Sequence, residues 1–270
     1  MCYNLHDKTF RRCKLEFPKF SRSPIDIHSH FNHGVEGDSQ NSSFTGTHKK
    51  TIDFLKSEYD RFCIKEVAFS TYSSVLSSAR VAEENDYMRQ LAAENDWVYQ
   101  WVVIHPLQKE TYAQADEMLR DKKCLGIKIH PYFHKYDISE YADDIFSFAE
   151  ERGATVKMHP AKMEEMAGFA NKYPNMRLII AHLSEEAHID AIKDAKYGNI
   201  YTDTSGSLSA LNNVIEYACE QVGAEKILFG TDTYSPAFQY SRVALARISH
   251  DEKEKILFKN AIEMFPRAFK

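Results

Sequence analysis

The sequence predicts a single α/β domain, a (β/α)₈ TIM barrel in which eight parallel strands close into a cylinder surrounded by helices. Three observations predict it. Eight short apolar runs alternate with amphipathic segments, and about 29 residues separate successive runs, as expected of a repeated βα unit. The chain has 270 residues, close to the roughly 250 that are typical of this fold.

The predicted strands are short runs of apolar, β-favouring residues, and each is followed by a segment with helical periodicity. Because strands that alternate with helices form parallel sheets, the order of elements predicts a parallel sheet. Eight units favour closure into a barrel over an open doubly wound sheet, for which about six strands are more usual. The runs cover residues 24–27, 66–69, 98–104, 125–129, 155–158, 177–181, 199–202 and 226–229.

The intervening segments predict amphipathic helices. In the segment 139–150, Ser139 is the expected N-cap, and Ile145, Phe146 and Phe148 lie near one face. Similar patterns predict helices over 80–94, 184–196 and 208–222.

The chain divides into an N-terminal extension, residues 1–23, and one barrel domain, residues 24–270. The extension is too short for a domain, and we interpret it as a cap over the bottom or side of the barrel. Residues 31–50 are polar and rich in Gly and Ser. They follow the first strand, so a barrel places them at the face where active sites lie. We interpret them as a lid or substrate loop, with an inert insertion as the alternative.

Charge and composition restrict the class of partner. The chain has 34 basic and 39 acidic residues, a net charge of -5, and no basic run. A nucleic-acid partner is therefore not expected, whereas a small-molecule substrate is. No segment has signal-peptide character or 18 consecutive apolar residues, so we expect no membrane partner and a cytoplasmic location. Five cysteines without a C-x-x-C pair predict no disulfide framework. Association of the chain into a homo-oligomer is left as an open alternative.

Residues that can bind a metal gather at the predicted carboxyl ends of the strands. The first strand ends in Asp26-Ile27-His28-Ser29-His30, and strand alternation sends His28 and His30 to one side. Neutral imidazole is a good ligand for a metal such as zinc. Four further residues end later strands and converge only if the sheet closes: His130, His159, His182 and Asp232.

These segments, taken in order, resemble the amidohydrolase-related (amidohydrolase 2) family of metal-dependent TIM-barrel hydrolases. That branch also contains decarboxylases related to the aminocarboxymuconate-semialdehyde enzyme. The matching segments are DIHSH, GIKIHP, KMHP, IIAHLS and FGTD at the first, fourth, fifth, sixth and eighth strands, and a closing KILFKNAIEMF that resembles the family's terminal helix with its Asn-Ala pair. The resemblance covers about residues 24–267.

The resemblance implies that His28, His30, His159 and Asp232 bind one divalent metal, with zinc expected and manganese as the alternative. It also implies that His182 lies close to the substrate or the metal-bound water. Such a metal lowers the pKa of bound water to about 7 and makes hydroxide available. Asp232 would accept the water proton and pass it to the leaving group, while His182 would polarise the scissile carbonyl. Asp26 is either a partner that orients one ligand histidine or a structural residue.

Lys128 has two interpretations. Some amidohydrolases bridge two metals with a carboxylated lysine from the fourth strand, but the branch that this chain resembles usually works with one metal. Substrate contact or a buried charge partner is therefore the favoured role for Lys128. His130 and His105 are interpreted as pocket lining or structural residues. Other substrate-facing candidates are Arg80 and Tyr132, with His33, Tyr72, His134 and Ser207. Arg80 either grips a carboxylate or lies solvated on the surface.

The leading functional prediction is hydrolysis of an amide, ester or lactone bond by metal-bound hydroxide. The alternative is non-oxidative decarboxylation of an unsaturated or aromatic carboxylic acid by a lyase. Decarboxylases of the branch often have Glu where this chain has His28, and they commonly place an Arg near the metal from the second or third βα loop. Two less favoured alternatives are a TatD-like deoxyribonuclease, which lacks its usual fourth-strand acidic run here, and a metal-binding barrel without turnover.

Overall fold

Eight parallel strands form one sheet in sequence order, in a computed structural model that describes residues 17–31, 33, 52–207, 209, 211, 213–232 and 236–270. Each strand pairs in parallel with the next one along the chain. The strands are β1 (Ile25–Phe31), β2 (Glu66–Thr71), β3 (Val98–Val103), β4 (Cys124–Ile129), β5 (Thr155–Met158), β6 (Arg177–Ile180), β7 (Ile200–Asp203) and β8 (Ile227–Leu228).

The sheet closes where β1 meets the residues that follow β8. Ser29 and Asp232 form a parallel bridge. The Ile27 N–H donates to the Phe229 carbonyl and the Thr231 N–H to the His28 carbonyl, each at 3.0 Å. The predicted (β/α)₈ barrel is therefore confirmed.

Helices follow the strands, as the alternating pattern predicts. One helix cap differs from the expectation: the N-cap of the helix Ile138–Glu151 is Asp137, whose carboxylate accepts the Ser139 N–H at 3.0 Å, so this helix begins before Ser139. The helices are α1 (Ile52–Arg61), α2 (Tyr72–Leu76), α3 (Val81–Glu94), α4 (Lys109–Met118), α5 (Pro131–His134), α6 (Ile138–Glu151), α7 (Met163–Lys172), α8 (Glu186–Asp194), α9 (Val214–Val222), α10 (Pro236–Ala244), α11 (His250–Glu254) and α12 (Asn260–Met264), with a 3₁₀ turn at Ala224–Lys226 and a π turn at Lys255–Lys259.

The core lies between the sheet and the helices. In α6 the buried positions are Ile138, Ala142, Ile145, Phe146 and Ala149, which share one face of a 3.6-residue helix. Burying that face removes apolar surface from water, at roughly 25 cal/mol per Å². This burial holds the helices on the outside and leaves the carboxyl ends of the strands open for a site.

The two ends of the described chain meet at the amino-terminal ends of the strands. The Ser21 N–H donates to Glu254 at 2.8 Å, and Arg22 pairs with Glu66 at 2.6 Å. Asn260, of the Asn-Ala pair, donates to the Ala224 and Ile227 carbonyls at 2.7 Å and so ties the terminal helix to β8. These contacts concern residues 17–23 of the predicted cap. Its first 16 residues and most of the predicted loop 31–50 lie outside the described residues.

No helix in the described part of the chain has the length and apolar character needed to cross a membrane.

The backbone of Gly126 on β4 lies close to the neighbouring strand β5 and to the Trp101 ring. A Cβ there would lie 2.2 Å from the Thr155 carbonyl oxygen and 2.9 Å from the Trp101 ring. We expect Gly126→Ala to lower the free energy of unfolding by about 1–3 kcal/mol or more, because the clash is with backbone. Gly168 lies within α7, where an added Cβ would meet nothing within 4 Å, so Gly168→Ala should raise the free energy of unfolding by roughly 0.5–1 kcal/mol. Urea denaturation measures both, and equal effects would contradict the packing described for Gly126.

Candidate metal centre

Two histidines at the end of β1 turn their free ring nitrogens towards each other. His28 Nδ1 lies 2.8 Å from an Asp203 carboxylate oxygen, and His30 Nδ1 lies 2.9 Å from the Ser70 carbonyl. Because both partners are acceptors, each Nδ1 carries the proton and each Nε2 keeps a lone pair. The two Nε2 atoms lie 3.1 Å apart, inside the barrel.

This pair fits a metal. Two lone pairs at that distance repel each other, whereas two imidazole nitrogens on one metal lie about 3.0–3.4 Å apart for bonds of about 2.0–2.1 Å. An Asp232 carboxylate oxygen lies 3.6 Å from His30 Nε2 and completes the group His28, His30 and Asp232, whose ligand atoms all lie within 4.8 Å of one another. Three of the four predicted ligands therefore converge.

A second group of possible ligands, His28, His182 and Asp203, meets the same distance limit. Here hydrogen bonds account for the proximity. Asp203 accepts from His28 Nδ1, and the Ser205 hydroxyl lies 2.9 Å from Nδ1 of both histidines. We interpret this group as the support of the metal centre.

His159, the fourth predicted ligand, belongs to neither group. Its ring stacks on that of His130, with 4.0 Å between centroids, and lies 5.2 Å from that of His182. Its role as a ligand stays a prediction, and so does the function of His182. The stacking makes His130 a wall of the pocket, consistent with its interpretation as pocket lining.

Burial keeps the pocket histidines neutral. Burial, together with the positive charge of Lys157 and Lys128, lowers the pKa of His28 and His30 well below the ordinary value. Burial lowers the pKa of His159 to about 3 in the same way. Neutral imidazole is the form that binds a metal, so these histidines are ready to act as ligands at pH 7.

Lys128 lies inside the barrel. It is two residues from His130, so strand alternation sends both side chains to the same side. Its Nζ is 3.3 Å from His28 Nε2, and the residue is 1% exposed. Burial lowers the pKa of this ammonium to about 8, while Asp203 and Asp232 oppose the shift. Lys128 thus remains protonated at neutral pH, beside the atoms that would hold the metal.

Asp26 supports the backbone of the site. It accepts the His28 N–H at 2.9 Å and the Thr231 hydroxyl at 2.6 Å, so it joins β1 to the end of β8 and contacts no ligand ring. Burial raises the pKa of Asp26 to about 7. Of the two roles open from the sequence, the structural one fits these contacts.

Sequence reasoning missed Asp203 and Ser205. They end β7 in the pattern Asp-x-Ser, with the same two-residue spacing that places His28 and His30 on one side of β1. That spacing at a strand end was the available signal. Neither residue belongs to the set of predicted metal ligands.

The substrate-facing candidates occupy different places. Arg80 is on the surface, where it pairs with Glu83 at 2.7 Å, whereas Tyr72 is buried with its ring 5.6 Å from that of His30. Tyr132 is 73% exposed on α5. Ser207 is exposed, the His33 ring contacts the Glu84 carboxylate, and the ring of His105 lies beside that of His134.

The comparisons with known proteins agree with this architecture. The amidohydrolase family model matches residues 25–267. No curated protein matches the sequence significantly.

Solved structures share the fold at low sequence identity. The dihydroxybenzoic acid decarboxylase from Polaromonas sp. JS666, with bound manganese and 2-nitroresorcinol, has a TM-score of 0.71 and 15% identity over 91% of this chain and 97% of its own. The 5-carboxyvanillate decarboxylase from Sphingomonas paucimobilis has a TM-score of 0.70 and 14% identity over 91% and 99%. An amidohydrolase from Burkholderia multivorans has a TM-score of 0.71 and 13% identity over 90% and 99%.

The Asp203–His28 hydrogen bond generates a prediction. Asp203→Asn replaces an acceptor by an amide that cannot take the same protons, so His28 loses its orientation. We expect affinity for Zn²⁺ or Mn²⁺ to fall about 10–100-fold with the fold intact. Titration of metal-free protein against a competing chelator measures it. The matched control is Asp190→Asn on the exposed side of α8, and equal losses in both variants would refute the role of Asp203.

The position of Lys128 predicts a pH dependence. A protonated ammonium repels a metal cation, so metal affinity should rise as the pH passes through about 8 and Lys128 loses its proton. Lys128→Met should bind metal at least about tenfold more tightly at pH 7 and lose that rise. Chelator competition between pH 6.5 and 9 tests this, and a variant that keeps the wild-type profile would contradict it.

Proposed function

We propose that this chain, an enzyme that belongs to the amidohydrolase family, catalyses the metal-dependent decarboxylation of a small aromatic or unsaturated carboxylic acid. The alternative prediction from the sequence thus becomes the leading one, and hydrolysis becomes the second candidate. Support comes from the charge of the pocket and from solved structures of the same fold whose names are those of decarboxylases.

The observation that carries the proposal is the Lys128 ammonium beside the metal ligands. A divalent metal and Lys128 would bring three positive charges together with two carboxylates, Asp203 and Asp232. Among these groups one positive charge is in excess in a buried pocket, where an unbalanced charge is costly. A substrate carboxylate between the metal position and Lys128 would balance it.

The fit of the residues to a metal defines the chemistry. When bound by His28, His30 and Asp232, a divalent ion supplies positive charge that holds an anionic substrate and stabilises the charge developing on it. Manganese occurs in three of the solved decarboxylase structures, and zinc also suits this set of ligands, so we propose one of these two metals.

The residues then have separate tasks. Lys128 would hold the substrate carboxylate. The bond between that carboxylate and the substrate carbon breaks, the electron pair stays on the carbon, and CO₂ leaves. A proton then bonds to the same carbon. Asp232, which would first take up that proton from water, is the proposed donor because burial raises its pKa. His182, at the carboxyl end of β6, is the second candidate donor.

Hydrolysis of an amide, ester or lactone is the second candidate, and one observation favours it. The Arg and Lys residues at the described second and third βα loops are Arg80, which pairs with Glu83, and Lys109, which is exposed. Neither contacts the ligand group, although decarboxylases of the branch commonly place an Arg there. In this reaction Asp232 would accept a proton from the attacking water.

The deciding experiment begins with elemental analysis of the purified protein. The Zn²⁺-loaded and Mn²⁺-loaded enzymes are then given carboxyl-¹³C-labelled benzoic acids, with dihydroxybenzoates first, and a panel of esters, lactones and amides. Release of ¹³CO₂, detected by mass spectrometry, supports the proposal. Cleavage of the panel without ¹³CO₂ assigns hydrolysis, and a protein that gains no activity with either metal refutes both.

The role of Asp232 generates a prediction of its own. Asp232→Asn can neither bind the metal with a charged oxygen nor carry the proton, so turnover should fall at least about 10³-fold. Circular dichroism should show an unchanged fold. The control is Asp194→Asn at the end of α8, which should keep full activity; retained turnover in Asp232→Asn would refute the assignment.

A further inference from the structure

We infer that Ser205 is a positioning residue that sets the rings of both His28 and His182 through one hydroxyl group. Ser205 lies two residues beyond the end of β7, so it faces the same side of the barrel as Asp203. Both residues are fully buried. The inference deepens the proposed function and rests on it where it concerns catalysis.

The hydrogen atoms around Ser205 can be assigned one by one. Its hydroxyl makes a very short contact with an Asp203 carboxylate oxygen, and a carboxylate only accepts, so the hydroxyl proton goes to Asp203. The Ser205 oxygen then has only lone pairs left to offer. It lies 2.9 Å from His182 Nδ1 and 2.9 Å from His28 Nδ1, and both rings must therefore donate.

The Asp203 carboxylate accepts the other hydrogen bonds of this group. Besides the hydroxyl, its carboxylate accepts from His28 Nδ1 at 2.8 Å and from the backbone N–H groups of His182 and Ser205 at 3.2 and 2.9 Å. Three of these contacts are to Oδ1, and the fourth, from His28, is to Oδ2. The partner of the His182 ring nitrogen Nδ1 is the Ser205 hydroxyl.

The consequence for His182 is a defined tautomer. With Nδ1 protonated and bound to Ser205, Nε2 keeps a lone pair on the opposite edge of the ring, where it can exchange a proton with a substrate. Neutral histidine in water prefers the other tautomer, so this form needs a partner.

Contacts hold the ring in place as well. The His28 ring stacks against it, with centroids 5.0 Å apart. Gly206, next to Ser205, approaches so closely that a Cβ there would lie 2.6 Å from His182 Nδ1. His182 itself has a φ of +66°, a conformation that non-glycine residues rarely adopt. The ring is thus constrained by packing on two sides and by Ser205 at one edge.

The test reads the tautomer directly in metal-free protein. Long-range ¹H–¹⁵N spectra of ¹⁵N-histidine-labelled protein distinguish a protonated from an unprotonated ring nitrogen, and His182→Gln identifies the His182 signals. We expect Nδ1–H in the wild type and a shift to Nε2–H, or a mixture, in Ser205→Ala. Ser205→Thr, which keeps the hydroxyl, should restore Nδ1–H.

The control is Ser209→Ala. It removes a buried hydroxyl from the same segment, one that bonds to the carbonyls of residues 204–206 and to no histidine, so His182 should stay Nδ1–H. If Ser205→Ala does not fold, Ser205→Cys keeps the volume and offers only a weak acceptor, and it should give the same shift. Nε2–H in the wild type, or Nδ1–H retained in the variant that folds, would overturn the inference.

Steady-state kinetics provide a second test of the role of Ser205. With substrate found, Ser205→Ala should lower kcat about 10–100-fold with a smaller change in KM, because it disturbs the tautomer and orientation of the His182 ring more than substrate binding. A change confined to KM would contradict this role. If no CO₂ is released by the wild type, the proposed function fails while the tautomer experiment still decides the role of Ser205.

Discussion

The site depends on the closure of the sheet between β1 and the residues after β8. The hydrogen bonds of Ile27 and His28 with Phe229 and Thr231 bring the first and last strands together. Ligands that are about 200 residues apart in sequence thereby come within reach of one metal. Asp26 reinforces this junction between β1 and the residues after β8, which we call the seam, because its carboxylate accepts hydrogen bonds from the backbone of His28 and from Thr231. A change in this seam would therefore move the metal ligands relative to each other.

Burial then decides the charges inside the closed barrel. The same loss of water that keeps the ligand histidines neutral also lowers the pKa of Lys128 and raises that of Asp232. A pocket with neutral histidines, a retained ammonium and a carboxyl group whose pKa is raised is suited to an anionic substrate and to proton transfer. The network around Asp203 adds orientation, since Asp203 and Ser205 both contact His28 Nδ1 and leave Nε2 directed towards His30. The charges of the site and the orientation of its histidine rings thus depend on the same buried residues.

The convergence of His28 and His30, two proposed metal ligands on β1, was predictable because its signal is local. Strand alternation alone places His28 and His30 on one side, and the structure brings their Nε2 atoms together. His159 shows the limit of that reasoning, because its position at a strand end did not specify which neighbours its ring would contact. Ser139 shows a similar limit at a helix start, where Asp137 precedes it in the chain and takes the role of the cap. Spacing along the sequence identifies candidate residues, and side-chain packing determines which of them come into contact.

By itself the sequence determined the barrel and the order of its eight strands, and it placed His28 and His30 on one side of β1. These follow from periodicity and spacing, which are properties of neighbouring residues. Only the tertiary structure decided that Asp203 and Ser205 support His28 and His182, that Lys128 lies beside the metal ligands, and that Arg80 pairs at the surface. Such contacts join residues from different strands and loops, and their geometry depends on side-chain packing and burial that no local pattern encodes.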